Sequence, residues 1–421
     1  MIQPKKVLTG LAAIIVAAGS LLVLPQSLSA VSQTDQINDY VKKSLDQYDI
    51  PGASAIVQKD GKTLIDNSWG ETSNGDKVTT DTPFLIGSLS KSITAAAIMM
   101  LVQDGKIDLD ESINQSIPGF RYESIDGTQI TVRQLLEQTS GIGPMDGLNV
   151  TDRDYPEKSG ITKAVTQLQN VKLLSKPGTE YRYTSANYLL LGAIIQSDQD
   201  NQTYADFLEK RLFGPLKMTT TSATKDDSLL DGLRAGNDSW LGYPVSGRGF
   251  YDNAGAPYGY ITSTANDMTK FLKFMQDGGG ILDQQHLQLL KQVPTGDRTY
   301  GIGWHYSKDG NYFYHGGATP GFRAEMFYYP DRDFSGIILT NKYHSLEDQQ
   351  VSDIMAGIRA IADGQSPAML PAADRSIQFG MAGALLALFV TLALGRTVAF
   401  RVLVCGRCWI YVHWIIDPTS M

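Results

Sequence analysis

Cysteine is nearly missing from this chain: 421 residues contain two, Cys405 and Cys408. Everything before Cys405 must therefore fold without disulfides and cannot use thiol chemistry. The late pair is a lone CxxC with no further cysteine and no βαβ pattern around it, which reads as chance spacing. Histidine is scarce too, at five, and none falls in an HxH, HxxxH or HExxH spacing, which argues against a zinc cage. No GxSxG elbow occurs, which removes the α/β-hydrolase route to a nucleophilic serine. Basic residues are outnumbered, 36 Lys and Arg against 44 Asp and Glu, for a net charge of -8. No basic surface that could neutralise phosphates is implied, and nucleic acid is not an expected partner. No internal repeat is visible.

Two long apolar runs lie at the ends. "MIQPKKVLTGLAAIIVAAGSLLVLPQSLSA" has Lys5 and Lys6, an apolar stretch from Val7 to Leu24, then Pro25 and a small residue, Ala30. Residues 1–30 read as an export signal or, given the length of the run and Leu28 before Ala30, an uncleaved anchor. "IQFGMAGALLALFVTLALG", 377–395, is uncharged and long enough to cross a bilayer. Arg396, Arg401 and Arg407 follow it, so the positive-inside bias puts the tail, 396–421, in the cytoplasm or at its interface. The large middle is then expected outside the cell membrane, with 361–376, small residues and two prolines, as a short linker.

At 42% hydrophobic residues the middle can bury a sizeable core. Ala53–Gln58 and Thr63–Asn67 flank Asp60-Gly61, a strong two-residue hairpin signal. From about Ser88 to Leu290 helical periodicity dominates, as in "TVRQLLEQTSG", "YADFLEKRLFG" and "TANDMTKFLKFMQDGG", each closed by glycine. Strand patterns return between Tyr300 and Asn341, cut by Asp309-Gly310 and Pro330-Asp331 into about four strands. Strands at both ends of the domain with helices between predict an α+β fold whose two ends share one antiparallel sheet.

The chemistry centres on "SLSK". Ile93 to Val102 is almost wholly apolar, so the helix it begins is buried on all sides, with its unsatisfied N–H groups and positive dipole end at Ser88. Lys91 lies one turn on, within reach of the Ser88 oxygen, and a buried amine that is neutral can take the serine proton. Any SxxK also fits a plain N-cap serine followed by a snorkelling lysine. Two further elements tip the balance. "PGTEYRYTSANYLLLGAII" puts the Tyr183 phenol just before a helix, and in "YHGGATPGF" Gly316 and Gly317 strip side chains from a strand that can approach a ligand.

With these three elements in this order, the chain resembles the serine β-lactamase and penicillin-binding protein superfamily in its class C-like branch. "DGKIDLDESI", "ITVRQLLEQTSGI" and "GYITSTANDMTKFLKF" add to the likeness, which spans about Thr34 to Asn341. The resemblance implies a β-lactamase/transpeptidase-like domain over 34–360, an antiparallel sheet flanked by helices plus a mainly helical subdomain. It implies Ser88 as the acylated nucleophile, Lys91 as its proton partner and Tyr183 as the second acid/base group. His315, Gly316 and Gly317 would line the substrate strand, the Ser88 and Ala318 N–H groups would form the oxyanion hole, and no metal or cofactor is implied.

Two departures stand out. Ser185 occupies the position of the usual asparagine in Tyr-x-Asn, where it can still donate a hydrogen bond; a shifted reading, Ser185-Ala186-Asn187, would imitate the Ser-Asp-Asn element of other branches. His315 stands where the stricter pattern has lysine, so a fixed cation is lacking and carboxylate anchoring should be weaker. The expected activity is that of a membrane-held, outward-facing serine hydrolase acting on D-alanyl peptides or esters of the cell envelope. A β-lactamase is the alternative, and a catalytically silent wall-sensing module is disfavoured by intact Ser88, Lys91 and Tyr183.

Overall fold

The computed structural model describes residues 32–156, 159–197, 202–294 and 298–394. The amino-terminal signal or anchor and the 396–421 tail with its CxxC lie outside the described residues.

Asp60 and Gly61 both take positive φ, 52° and 71°, and form the expected tight turn between the strands Gly52–Lys59 and Lys62–Gly70. Four more strands come from the far end of the domain: His305–Tyr306, Phe313–Thr319, Phe322–Tyr329 and Phe334–Thr340. Ala53 to Lys59 pair antiparallel with Thr340 to Phe334, so the two ends of the domain do share one six-stranded antiparallel sheet. One turn went unread in the sequence: Pro320-Gly321, with Gly321 at φ 80°, divides Phe313–Thr319 from Phe322–Tyr329.

Phe322–Tyr329 and Phe334–Thr340 are buried almost throughout, because helices cover both faces of the sheet. The helices Gln33–Gln47 and Gln349–Ala362 cover one face, with Ile37, Val41, Ile354 and Ile358 packed on Phe327 and Ile338. Against the other face lies Leu89–Gln103, whose side chains from Leu89 to Leu101 are all buried. This helix is sandwiched between the sheet and the helical region, whose Ser185–Ser197 packs on it, and that position explains why its sequence is apolar on every side.

One local expectation fails. Gly214 does not stop its helix: the chain widens into a π-type turn over Glu209–Phe213 and runs on through Gly214–Leu216 at ordinary helical angles. The stretch expected as a short linker, 361–376, is held against the domain. Ala362 still ends a helix, the Pro371 carbonyl accepts bonds from Gln47 and Tyr48, and Arg375 pairs with Asp49. Beyond it the helix Ser376–Leu394, 19 residues with mean hydropathy 2.1, is long and apolar enough to cross a membrane, and only 6% of it is buried.

Candidate active site

Ser88 sits at the N-cap of Leu89–Gln103 with φ -64° and ψ -3°, but its hydroxyl caps no helix N–H. Instead it faces the Lys91 amine, with Nζ 2.9 Å from Oγ. Lys91 does not snorkel. It is wholly buried, donates to the Tyr258 carbonyl at 2.7 Å and stands 5.0 Å from the centre of the Tyr183 ring. Burial pushes its pKa down to about 7, partly opposed by the charge of Asp152. The amine is therefore poised to be neutral near physiological pH, with one N–H spent on Tyr258 and a lone pair available to Ser88.

Tyr183 reaches the same point from the entry of Ser185–Ser197 and lines the same cavity as Ser88. Burial raises its pKa, so the phenol keeps its proton and can donate it. Ser185 lines a cavity shared with Ser88. Asn187, by contrast, is fully buried and engaged with Gln138 and Ser140, each at 2.6 Å, which leaves nothing for a substrate. The geometry thus favours the Tyr183 alignment over the shifted one.

The strand Phe313–Thr319 is the sheet edge at the site. His305–Tyr306 pairs with it only at Phe313 and Tyr314, so its outer edge from His315 onward is open among the described residues. The two glycines have different tasks. A Cβ at Gly317 would lie 2.0 Å from the Ile86 carbonyl oxygen, and one at Gly87 would lie 2.2 Å from the Ala318 nitrogen. Backbone meets backbone here, which sets the Ala318 amide beside Ser88. Gly316 makes room on the opposite side, where a Cβ would be 2.9 Å from the Arg323 guanidinium. We expect Gly317→Ala to cost about 1–3 kcal/mol of stability and about 100-fold in kcat. Gly316→Ala, which meets only a side chain, should change kcat a few-fold. Equal effects in paired kinetic and melting measurements would refute the division.

His315 is buried, with Nδ1 2.7 Å from the Gly316 carbonyl and Nε2 3.3 Å from the Tyr300 hydroxyl. A carbonyl oxygen can only accept, so the proton of the neutral ring sits on Nδ1 and Nε2 is left as the acceptor. Burial, then His305 and Lys91, hold its pKa well below the ordinary value, so the ring is neutral. His315 was expected on the substrate-lining strand; it lines the cavity, with both ring nitrogens engaged by the protein.

Two cavities meet at Ser88. The larger, about 410 Å³, is walled by Tyr181, Tyr183, His305 and Tyr314, with Arg323 and Glu325 at its base. The other, about 260 Å³, holds Asp152, Ser185, Tyr260 and Tyr343. A bigger hollow, about 540 Å³, opens elsewhere, but its Asp206, Asp227 and Asp231 are bonded to the hydroxyls of Thr203, Thr224 and Ser222.

Several of these residues escaped the sequence reading. Arg323 and Glu325 had a detectable signal, two charges at a period of two in an otherwise apolar strand. Asp152 did not: it sits at φ 58° in a loop and accepts from Tyr260 at 2.7 Å. The Tyr258 carbonyl, a backbone atom, has no sequence signature.

A six-stranded antiparallel sheet covered by helices on both faces, with Ser, Lys and Tyr converging at the start of a buried helix, is the arrangement of the β-lactamase and penicillin-binding protein superfamily. The Beta-lactamase family model matches residues 37–356, and the chain belongs to that family. It is 28% identical over 317 residues to Protein flp of Staphylococcus aureus (strain MRSA252), covering 73% of this chain and 62% of that protein. The match thus spans less than two thirds of the staphylococcal relative. Penicillin-binding protein 4 of Amycolatopsis lactamdurans is 27% identical, over 70% of this chain and 82% of its own. The fold is shared with the octameric penicillin-binding protein homologue from Pyrococcus abyssi, at TM-score 0.66 and 21% identity over 79% of this chain and 78% of that one. It is also shared with D-amino acid amidase from Ochrobactrum anthropi SV3, at TM-score 0.65 and 23% identity over 78% and 99%.

Proposed function

We propose that the protein is a membrane-held serine hydrolase that works through a Ser88 acyl-enzyme on D-alanyl esters or peptides of the cell envelope. The observation that carries this reading is the buried Lys91 amine 2.9 Å from the Ser88 oxygen. Ser88 Oγ attacks the acyl carbon while Lys91 takes its proton, and the developing oxyanion is met by the Ser88 and Ala318 N–H groups. The Tyr183 hydroxyl hands a proton to the leaving oxygen or nitrogen and takes part in activating the water that frees Ser88.

Charge at the base of the larger cavity separates the substrate classes. His315 and His305 are neutral, the latter with its pKa pushed down to about 4 by burial and then by Lys91. Arg323 is occupied with Asp348, Ser352 and the carbonyls of Gly317 and Ala324, and Glu325 is likewise taken up by Arg359 and Ser352. Aromatic walls, with the one lining cation among the described residues, Arg323, already paired to Asp348, suit the free ammonium of a D-alanyl ester better than the carboxylate of a β-lactam or of a terminal D-alanine. With detergent-solubilised full chain, kcat/KM for a D-alanyl ester should exceed that for nitrocefin by at least about tenfold, or 1.4 kcal/mol. Nitrocefin turning over faster would make the protein a β-lactamase first.

A further inference from the structure

The hairpin Asn237–Trp240 and Tyr243–Ser246 stands beside the root of the apolar helix. Its turn residues Leu241 and Gly242 both have positive φ, 53° and 87°, and a Cβ at Gly242 would lie 2.4 Å from Arg375 Nε. Trp240 and Tyr243 are directly paired across the strands, so they share a face with Val245. All three are exposed, Trp240 by 71% and Tyr243 by 52%. The Arg375 guanidinium stacks 4.1 Å from the centre of the Tyr243 ring, one residue before Ser376–Leu394 begins. Aromatic rings and an arginine thus stand level with the first turn of the helix.

The hairpin is fixed to the domain. Buried Lys342 donates to the Gly242 carbonyl at 2.9 Å and to that of Tyr48 at 2.7 Å, and pairs with Glu347 at 3.0 Å. Glu347 in turn accepts from Ser239 and from Gln378 inside the apolar helix. Lys342–Tyr343 pairs with Asn237–Asp238, and Tyr343 lines the smaller cavity at Ser88. Helix root, hairpin and one wall of the site are therefore mechanically continuous.

We infer that this hairpin is a second membrane contact, with the Trp240 and Tyr243 rings seated in the headgroup zone of the bilayer that Ser376–Leu394 enters. Trp and Tyr suit that zone because each joins an apolar ring to a polar group, and two contacts at one level stop the domain from swivelling about a single helix. A lipid surface fits better than a second copy of the chain, since the patch is continuous with the helix and small. The inference rests on the reading of Ser376–Leu394 as a span.

The test uses the full chain in phosphatidylcholine and phosphatidylglycerol vesicles whose acyl chains carry bromine near the headgroup. Bromine should quench the wild-type fluorescence, and Trp240→Phe should remove the share of that one indole among the five tryptophans. Unchanged ester turnover of the variant in detergent verifies its fold. Equal quenching in both proteins, with both resisting extraction by alkaline carbonate, would overturn the hairpin contact and leave the span intact. Extraction of both by carbonate would overturn the span and this inference with it. A Trp240-dependent dimer in detergent would assign the face to a second copy and refute the lipid contact.

Discussion

Ser88→Ala is expected to lower turnover of an activated ester by about 10⁴-fold or more and to abolish acyl-enzyme formation, because a coupled catalytic unit fails when its nucleophile is removed. The protein should remain folded. Ser88 Oγ caps no helix N–H, so its deletion strands no buried donor in the backbone. Of the remaining polar partners, Tyr183 borders the cavity and Lys91 keeps its bond to the Tyr258 carbonyl. Two readouts check this: a burst of product with a p-nitrophenyl ester, and the mass of the protein quenched in mid-reaction. Wild-type turnover by the variant, or an acyl adduct on another residue, would show that the nucleophile lies elsewhere.

Lys91→Met should reduce kcat/KM by about 10³–10⁴-fold and at the same time raise the melting temperature at pH 7. Both effects follow from one property, an amine held in an apolar place with its pKa down at about 7. In the proposed mechanism neutral Lys91 is the active form, so acylation should slow as pH falls below 7. His305 and His315 cannot produce that limb, since both titrate well below it. For stability, the unfolded chain holds the lysine proton up to its ordinary pKa of about 10.4 whereas the folded protein has lost it above about 7. The unfolded state binds more protons across that window, so stability from this group is complete above the ordinary pKa and is lost as pH falls through about 7. Methionine removes the penalty and flattens the dependence, a trade of stability for function. A rate limb near pH 7 that persists unaltered in Lys91→Met, or a melting temperature that drops, would contradict the assignment.

What could be read from the sequence was local. The Asp60-Gly61 turn, the all-apolar run after Ser88 and the glycine pair at 316–317 each state a backbone or burial requirement within a few residues. Tyr183 and Ser88 could be paired because each lies at a helix start. Features made by distant segments were not legible. Pro371 looks like linker until Gln47 and Tyr48 reach its carbonyl, and Lys342 looks like a surface cation until Glu347 and two carbonyls bury it. His315 was expected to meet substrate because nothing nearby in sequence shows that Tyr300 and the Gly316 carbonyl would claim its nitrogens. Gly214 was misread because helix signals assume a stop at glycine, whereas helical φ is open to it as well.

The pairing of Gly52–Lys59 with Phe334–Thr340 joins segments nearly three hundred positions apart. Such a contact closes late, because the entropy of so large a loop must be overcome before the strands reward it. The nucleophile helix is made early by the ribosome but is covered only when the last strands arrive against it. Until then Lys91 stays hydrated and charged, with its ordinary basicity, and Ser88 has no base. Chemical competence is therefore timed by the tail of the chain: a nascent protein stalled before Thr340 would carry every catalytic side chain and still be unable to acylate.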